Sequence, residues 1–158
     1  MKLYHGSNII IESVDLSKSR PYKDFGKAFY LSADEQQAWE RAYAAITMWG
    51  GTPCVSAFEF DEKQLSSSEM KVLIFDSYSE EWADFVFANR RHQKPPFQHD
   101  YDIVFGPIAN DKVGEQVALL KGGYITKERF FRKLKLMKGI TFQYAFCSEL
   151  SIGKLKKL

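Results

Sequence analysis

The chain has 158 residues, a formal net charge of +2, 45% apolar and 15% aromatic residues. That combination suits one domain over 1–158 with a sizeable core, and it excludes a disordered chain. The near-balanced charge excludes a bulk polycation. Two cysteines with no CxxC spacing exclude a disulfide framework and imply reduced thiols in the cytoplasm. No apolar run approaches the ~20 residues that cross a bilayer, and the N-terminal stretch Met1-Lys2-Leu3-Tyr4-His5-Gly6 has no signal-like apolar core.

Residues 2–5 read as a short strand halted by Gly6-Ser7-Asn8. The state of Ile9-Ile10-Ile11 stays open, because a polar stretch to Arg20-Pro21 follows. Gly26 gives the backbone freedom just before Ala28-Phe29-Tyr30-Leu31, an apolar, aromatic run that reads as a strand. Ser32 and Glu35 have capping-box spacing for a helix over 33–48, whose inner face is marked by Ala38, Ala42, Ala45 and Ile46. Gly50-Gly51 and Pro53 end it.

Residues 54–60 alternate as a strand, Ser66-Ser67-Ser68 reads as a turn, and 71–75 as an apolar strand. Ser79 caps a helix to about Arg91, with Trp82, Phe85 and Val86 as its buried stripe and Pro95-Pro96 beyond it. A strand over 101–105 stops at Gly106-Pro107. Helices follow over 112–121 and from Thr126 to about Lys138, then a strand over 140–147 and a basic helical tail from Ser148. About six strands among four helices in mixed order predict an α+β domain.

Three strand segments each carry one polar-tipped side chain among apolar neighbours: His5, Tyr30 and Gln143. Such groups cost free energy unless partnered. Each is either bonded within the core or part of a shared site.

Leu3-Tyr4-His5-Gly6-Ser7 resembles the first-strand motif of the ADP-ribosyltransferases, especially their poly(ADP-ribose) polymerase-like branch. Phe25-Gly26-Lys27-Ala28-Phe29-Tyr30-Leu31 resembles that branch's Phe-Gly-Lys-Gly-Ile-Tyr-Phe motif. A closer resemblance is to uncharacterised bacterial toxin-like proteins of this fold, often found beside small antitoxin-like partners. It covers most of the chain. It rests on Ser19-Arg20 leading to Asp24-Phe25-Gly26, on the block Tyr-Asp-Ile-Val-x-Gly-Pro-x-Ala-Asn-Asp over 101–111, and on a last strand with glutamine.

The resemblance implies a split mixed β-sheet core of about six strands flanked by helices, with NAD as co-substrate and no metal. It implies transfer of one ADP-ribose to a protein or nucleic-acid acceptor with release of nicotinamide, by the toxin of a bacterial toxin–antitoxin pair. His5, Tyr30 and Gln143 take the catalytic positions. His5, Gly6, Ser7, Arg20, Phe25, Gly26, Tyr30 and Asn110 take the cofactor-binding ones. The chemistry suits a carboxamide: the Gly6 backbone offers a donor and an acceptor, Ser7 a hydroxyl, and Tyr30 a flat face. His5 would bond the adenosine-side ribose.

Two positions depart from the motif. A second aromatic is expected about three helical turns past Tyr30, and the aligned residue is Arg41, with Trp39 and Tyr43 beside it. The last strand has Gln143-Tyr144 where a glutamate precedes the aromatic. A glutamine bonds the ribose 2′-hydroxyl but supplies no charge, so the carboxylates Asp24, Asp111 and Glu149 come into question. A catalytically weak module binding NAD or nucleic acid is the alternative. Lys127, Arg129, Arg132, Lys133, Lys135 and Lys138 make the helix from Thr126 basic. They form either a solvated face or a site for an acidic target. His92, His99 and the cysteines lack metal-ligand spacing.

Overall fold

A computed structural model describes residues 1–137 and 139–158. Among them are seven strands and five α-helices in the order β1 (Lys2–Ser7), β2 (Phe29–Leu31), α1 (Glu35–Trp49), β3 (Cys54–Glu59), β4 (Val72–Ile74), α2 (Glu80–Arg90), β5 (Ile103–Pro107), α3 (Asp111–Lys121), α4 (Lys127–Lys135), β6 (Phe142–Phe146), α5 (Glu149–Ile152) and β7 (Lys156–Lys157). The fold is α+β. One sheet has the order β1-β3-β7, all antiparallel. The other has the order β2-β6-β5-β4, mixed, with β4 and β5 parallel.

The period-2 alternation of the strands sorts side chains into two core layers. On β5, Ile103 faces one layer and Val104 the other; on β6, Phe146 and Tyr144 face the first and Ala145 the second. The first layer lies between the sheets, where Leu3 and Phe58 meet Phe29, Leu31 and Phe146. The second is covered by α2, α3 and α4 through Trp82, Val86, Val113, Val117, Phe130 and Leu134. Trp82 also donates its indole N–H to the Pro107 carbonyl at 3.0 Å, which ties α2 to the end of β5.

Several local expectations shift. β1 continues through Gly6 and Ser7, because both pair with β3. Ser32 does not cap α1. Its backbone is held in a bridge to Tyr4, and the cap passes to Asp34, which accepts from the Gln36 amide. Glu62–Ser66 forms a 3₁₀ turn ahead of the expected serine turn. Ser79 and Thr126 cap α2 and α4 through the amides of Trp82 and Arg129. The expected end of α4 at Lys138 lies outside the described residues. The tail is a single helical turn and then β7, a strand added to the edge of β3 instead of a longer basic helix.

Candidate functional site

The two sheets meet at one bridge. Tyr4 donates to the Ser32 carbonyl at 2.7 Å, and Ser32 donates back at 2.9 Å. In an antiparallel ladder the next hydrogen-bonded pair in this register would be Gly6 with Tyr30. That pair does not form; β1 pairs only with β3, and β2 only with β6. Backbone polarity alternates along a strand, so Gly6 points its N–H and C=O the same way as Tyr4, away from β3 and into the gap. The ladder stops at the glycine singled out for carboxamide binding.

α1 fixes this geometry. Ala38 and Ala42 are buried against β1, and a Cβ placed on Gly6 would lie 1.7 Å from the Ala38 carbonyl oxygen. Only glycine lets the helix cross β1 so closely.

His5 spans the gap from β1. Its Nδ1 lies 2.8 Å from the Tyr30 carbonyl oxygen, and its ring packs 4.4 Å from Phe29. A carbonyl only accepts, so Nδ1 carries the proton. Burial pushes the His5 pKa down, and the Lys23 and Arg41 charges add to that against the opposing pull of the Tyr30 carbonyl. The imidazole is therefore neutral with Nε2 as a lone-pair acceptor, suited to a ribose hydroxyl.

Tyr30 has its hydroxyl fully engaged. It donates to the Gly26 carbonyl at 2.7 Å and accepts from the Phe25 amide at 3.1 Å. Burial raises its pKa well above the usual phenol value, with the nearby Asp24 charge adding to the shift. The ring face is what Tyr30 can offer a ligand. Lys23 Nζ stands 5.4 Å from the ring centroid. The Lys23 pKa is pushed down by burial, then by Arg41 and Arg20.

Gln143 shares a sheet face with Tyr30. Tyr30 opposes Ala145, and Gln143 lies two residues from Ala145 on the same strand. Its Nε2 donates to Asp24 Oδ2 at 3.0 Å. Asp24 is 7% exposed and accepts from three groups: Gln143, the Ala109 amide on Oδ2 at 2.8 Å, and Arg90 Nε on Oδ1 at 2.9 Å. Arg90 closes the ring by donating to the Ala109 carbonyl at 3.1 Å. Burial pushes the Asp24 pKa up, while Arg90, the Ala109 amide and Gln143 pull it back. An ionised carboxylate only accepts, so the network fixes Gln143 with its N–H₂ inward and its Oε1 outward. Among the described residues, the buried unpaired side-chain atoms are on Gln64, Asn89 and Gln116, so Gln143 Oε1 is not a buried orphan.

His5, Gly6 and Tyr30 thus meet at the gap, and Gln143 stands on the Tyr30 face, whereas the His5 ring lies against Phe29. Ser7 flanks the gap at the end of β1, its hydroxyl 3.5 Å from Asn8 Oδ1. Gly26 shapes the turn beneath Tyr30 at φ 81°. Phe25 is wholly buried, and the exposed Asn110 caps α3 by accepting from the Val113 amide. Arg20 is exposed and stacks 4.2 Å over the Trp49 ring. Arg41 acts electrostatically on His5, Lys23 and Asp24. Trp39 and Tyr43 pack on each other with exposed rings. Of the other carboxylates, Asp111 begins α3 and Glu149 begins α5. A shallow cavity of about 340 Å³ adjoins Gln143 in sequence, lined in part by Ser32, Gln37, Phe105, Thr141 and Phe142.

Sequence reading missed Arg90 as the partner of Asp24, and it missed the cations around His5. Of the two cations that act on His5, Lys23 lies in the loop just before Asp24 and Arg41 on α1, 18 residues apart in sequence. Among the described residues, no group of three or more His, Cys, Asp or Glu side chains is placed to hold a metal. No helix among them is long and apolar enough to cross a membrane.

The family model described as "Protein of unknown function (DUF3990)" matches residues 1–157. No curated protein and no solved structure matches the chain.

Proposed function

The chain belongs to the DUF3990 family, and we propose that it is an NAD-dependent mono-ADP-ribosyltransferase built on an ADP-ribosyltransferase-like split sheet. The observation that carries this reading is the missing Gly6–Tyr30 ladder pair. It leaves a backbone donor and acceptor on Gly6 facing the gap toward the Tyr30 strand, the complement of a planar carboxamide. The reading of the chain as a cytoplasmic bacterial toxin with a small antitoxin partner rests on the sequence resemblance.

In this reading Gly6 and Ser7 hold the nicotinamide amide, and Tyr30 supports the ring. Neutral His5 accepts from the adenosine-side ribose through Nε2. Arg20, Lys23 and Arg41 offset the negative charge of the diphosphate. Gln143 Oε1 accepts from the 2′-hydroxyl of the nicotinamide-side ribose. The bond between nicotinamide and ribose C1′ breaks, and its electron pair leaves with nicotinamide. The acceptor's nucleophile forms the new bond to C1′, and its proton passes to water. The sugar is cation-like as the bond breaks, much as in glycoside hydrolysis. A group that bonds the 2′-hydroxyl more strongly at that point accelerates the reaction.

The binding half of the proposal is tested by calorimetry with NAD. His5→Ala and Tyr30→Ala should each weaken NAD binding by about 1–3 kcal/mol, the cost of losing one buried polar or aromatic contact. Wild-type affinity in both variants, with native circular dichroism, would remove His5 and Tyr30 from the site.

A further inference from the structure

α4 carries a feature that the NAD site does not use. Its nine residues hold five cations against one anion, a net +4, whereas the whole chain carries +2. The rest of the chain is therefore net negative, and the positive charge is concentrated on this helix. Phe130 and Leu134 bury the inner face. Lys127 pairs with Glu80 at 2.5 Å. Arg129, Arg132, Lys133 and Lys135 have no acid within 4.0 Å among the described residues. Residues 129, 132 and 133 stand at i, i+3 and i+4, so these three form one strip over about 6 Å of helix axis.

An exposed aromatic side chain stands in the turn that leads into α4. Tyr124, in the turn before Thr126 caps α4, is 80% exposed. A Cβ on Gly122 would fall 2.8 Å from Cδ2 and Cε2 of its ring, so one edge of the ring lies against that glycine. The rest of the side chain is open to solvent. A strip of unpaired cations would suit any acidic partner. An exposed aromatic ring in the turn before it suits a base, because base stacking and phosphate neutralisation together are how single strands are held.

We infer that Tyr124 and the outer face of α4 form a binding site for single-stranded nucleic acid. Arg129, Arg132, Lys133 and Lys135 neutralise phosphates, and a base stacks on Tyr124. This inference is independent of the NAD reading.

The test is fluorescence anisotropy of a labelled uridine oligonucleotide, roughly twelve nucleotides long to cover a typical site, titrated with the full chain. Four neutralised phosphates give a slope of about −3 in log affinity against log salt, or about fiftyfold between 50 and 200 mM salt. Tyr124→Ala should weaken binding about 5- to 100-fold, with Tyr124→Trp restoring it. Arg132→Glu with Lys133→Glu should weaken it at least about tenfold and flatten the slope. None of these positions is buried, so the fold is kept. The inference is overturned by three results: no binding at the lowest salt, affinity unchanged in both sets of variants, or full displacement by an equal charge concentration of a glutamate homopolymer.

Discussion

Asp24→Ala is expected to lower stability by about 2–4 kcal/mol, which for a domain of this size is a fall of about 5–15 °C in Tm. The carboxylate is 7% exposed and holds together three parts of the chain: Arg90 of α2, the Ala109 amide after β5, and Gln143 of β6. Alanine leaves the Ala109 N–H without a partner and the Arg90 guanidinium without its counterion. Arg90 is 35% exposed and regains some water, so the loss falls below that of a fully buried pair. Asp24→Asn separates the structural role from the functional one. An asparagine whose oxygen takes the Oδ2 place still accepts from both Ala109 and Gln143, but its N–H₂ then faces the Arg90 Nε donor to donor. Gln143 keeps its acceptor and its orientation, and the lost contact is the Arg90 ion pair. This variant should unfold at a temperature between those of wild type and Asp24→Ala, and where it is folded it should release nicotinamide at the wild-type rate, because Gln143 stays in place. Equal melting temperatures for wild type and both variants would mean that the network contributes nothing.

Gln143→Ala is expected to reduce nicotinamide release about 10²- to 10³-fold with little change in NAD affinity. In the proposed reaction the 2′-hydroxyl contact strengthens as the sugar becomes cation-like, so its loss should appear in kcat more than in KM. Gln143→Glu places a second carboxylate beside Asp24, which like-charge repulsion and burial disfavour. The pair then shares a proton or the introduced side chain turns outward. When ionised and turned outward, the introduced carboxylate can assist water, so NAD hydrolysis without acceptor should rise. Unaltered release from Gln143→Ala would reduce Gln143 to a partner for Asp24. The reaction would then need another group.

The legible parts of this fold are those set by neighbours in sequence. Ser79 and Thr126 are caps because each hydroxyl lies three residues before the amide it accepts from. The aromatic run at β2 and the stripe of Trp82 and Val86 announce their elements by period alone. The illegible parts depend on distant chain. Ser32 has the spacing of a cap, yet it is held extended by Tyr4, and Asp34 has equal capping chemistry two residues later. The lysines at 156 and 157 read as a helical tail. They form β7 instead, where Lys156 approaches Glu59 at 3.8 Å and Lys157 lies over Phe58. The site divides in the same way. The strand positions of His5, Tyr30 and Gln143 are readable, and the glycine next to His5 is conspicuous. That Gly6 loses its ladder partner because the sheets part there is a property of the assembled sheets. The Asp24–Gln143 bond joins residues 119 apart, and no local pattern foretells it.

The central claim is that this chain moves ADP-ribose from NAD to an acceptor at the gap between β1 and β2. The most direct measurement is incubation of wild-type protein and Tyr30→Ala with NAD radiolabelled in the adenylate phosphate, with and without bacterial lysate, while nicotinamide release and label on macromolecules are followed together. Label should appear on lysate protein or nucleic acid in step with nicotinamide release, and Tyr30→Ala should abolish both. If wild type neither releases nicotinamide nor transfers label while binding NAD, or if Tyr30→Ala labels as well as wild type, the claim is contradicted.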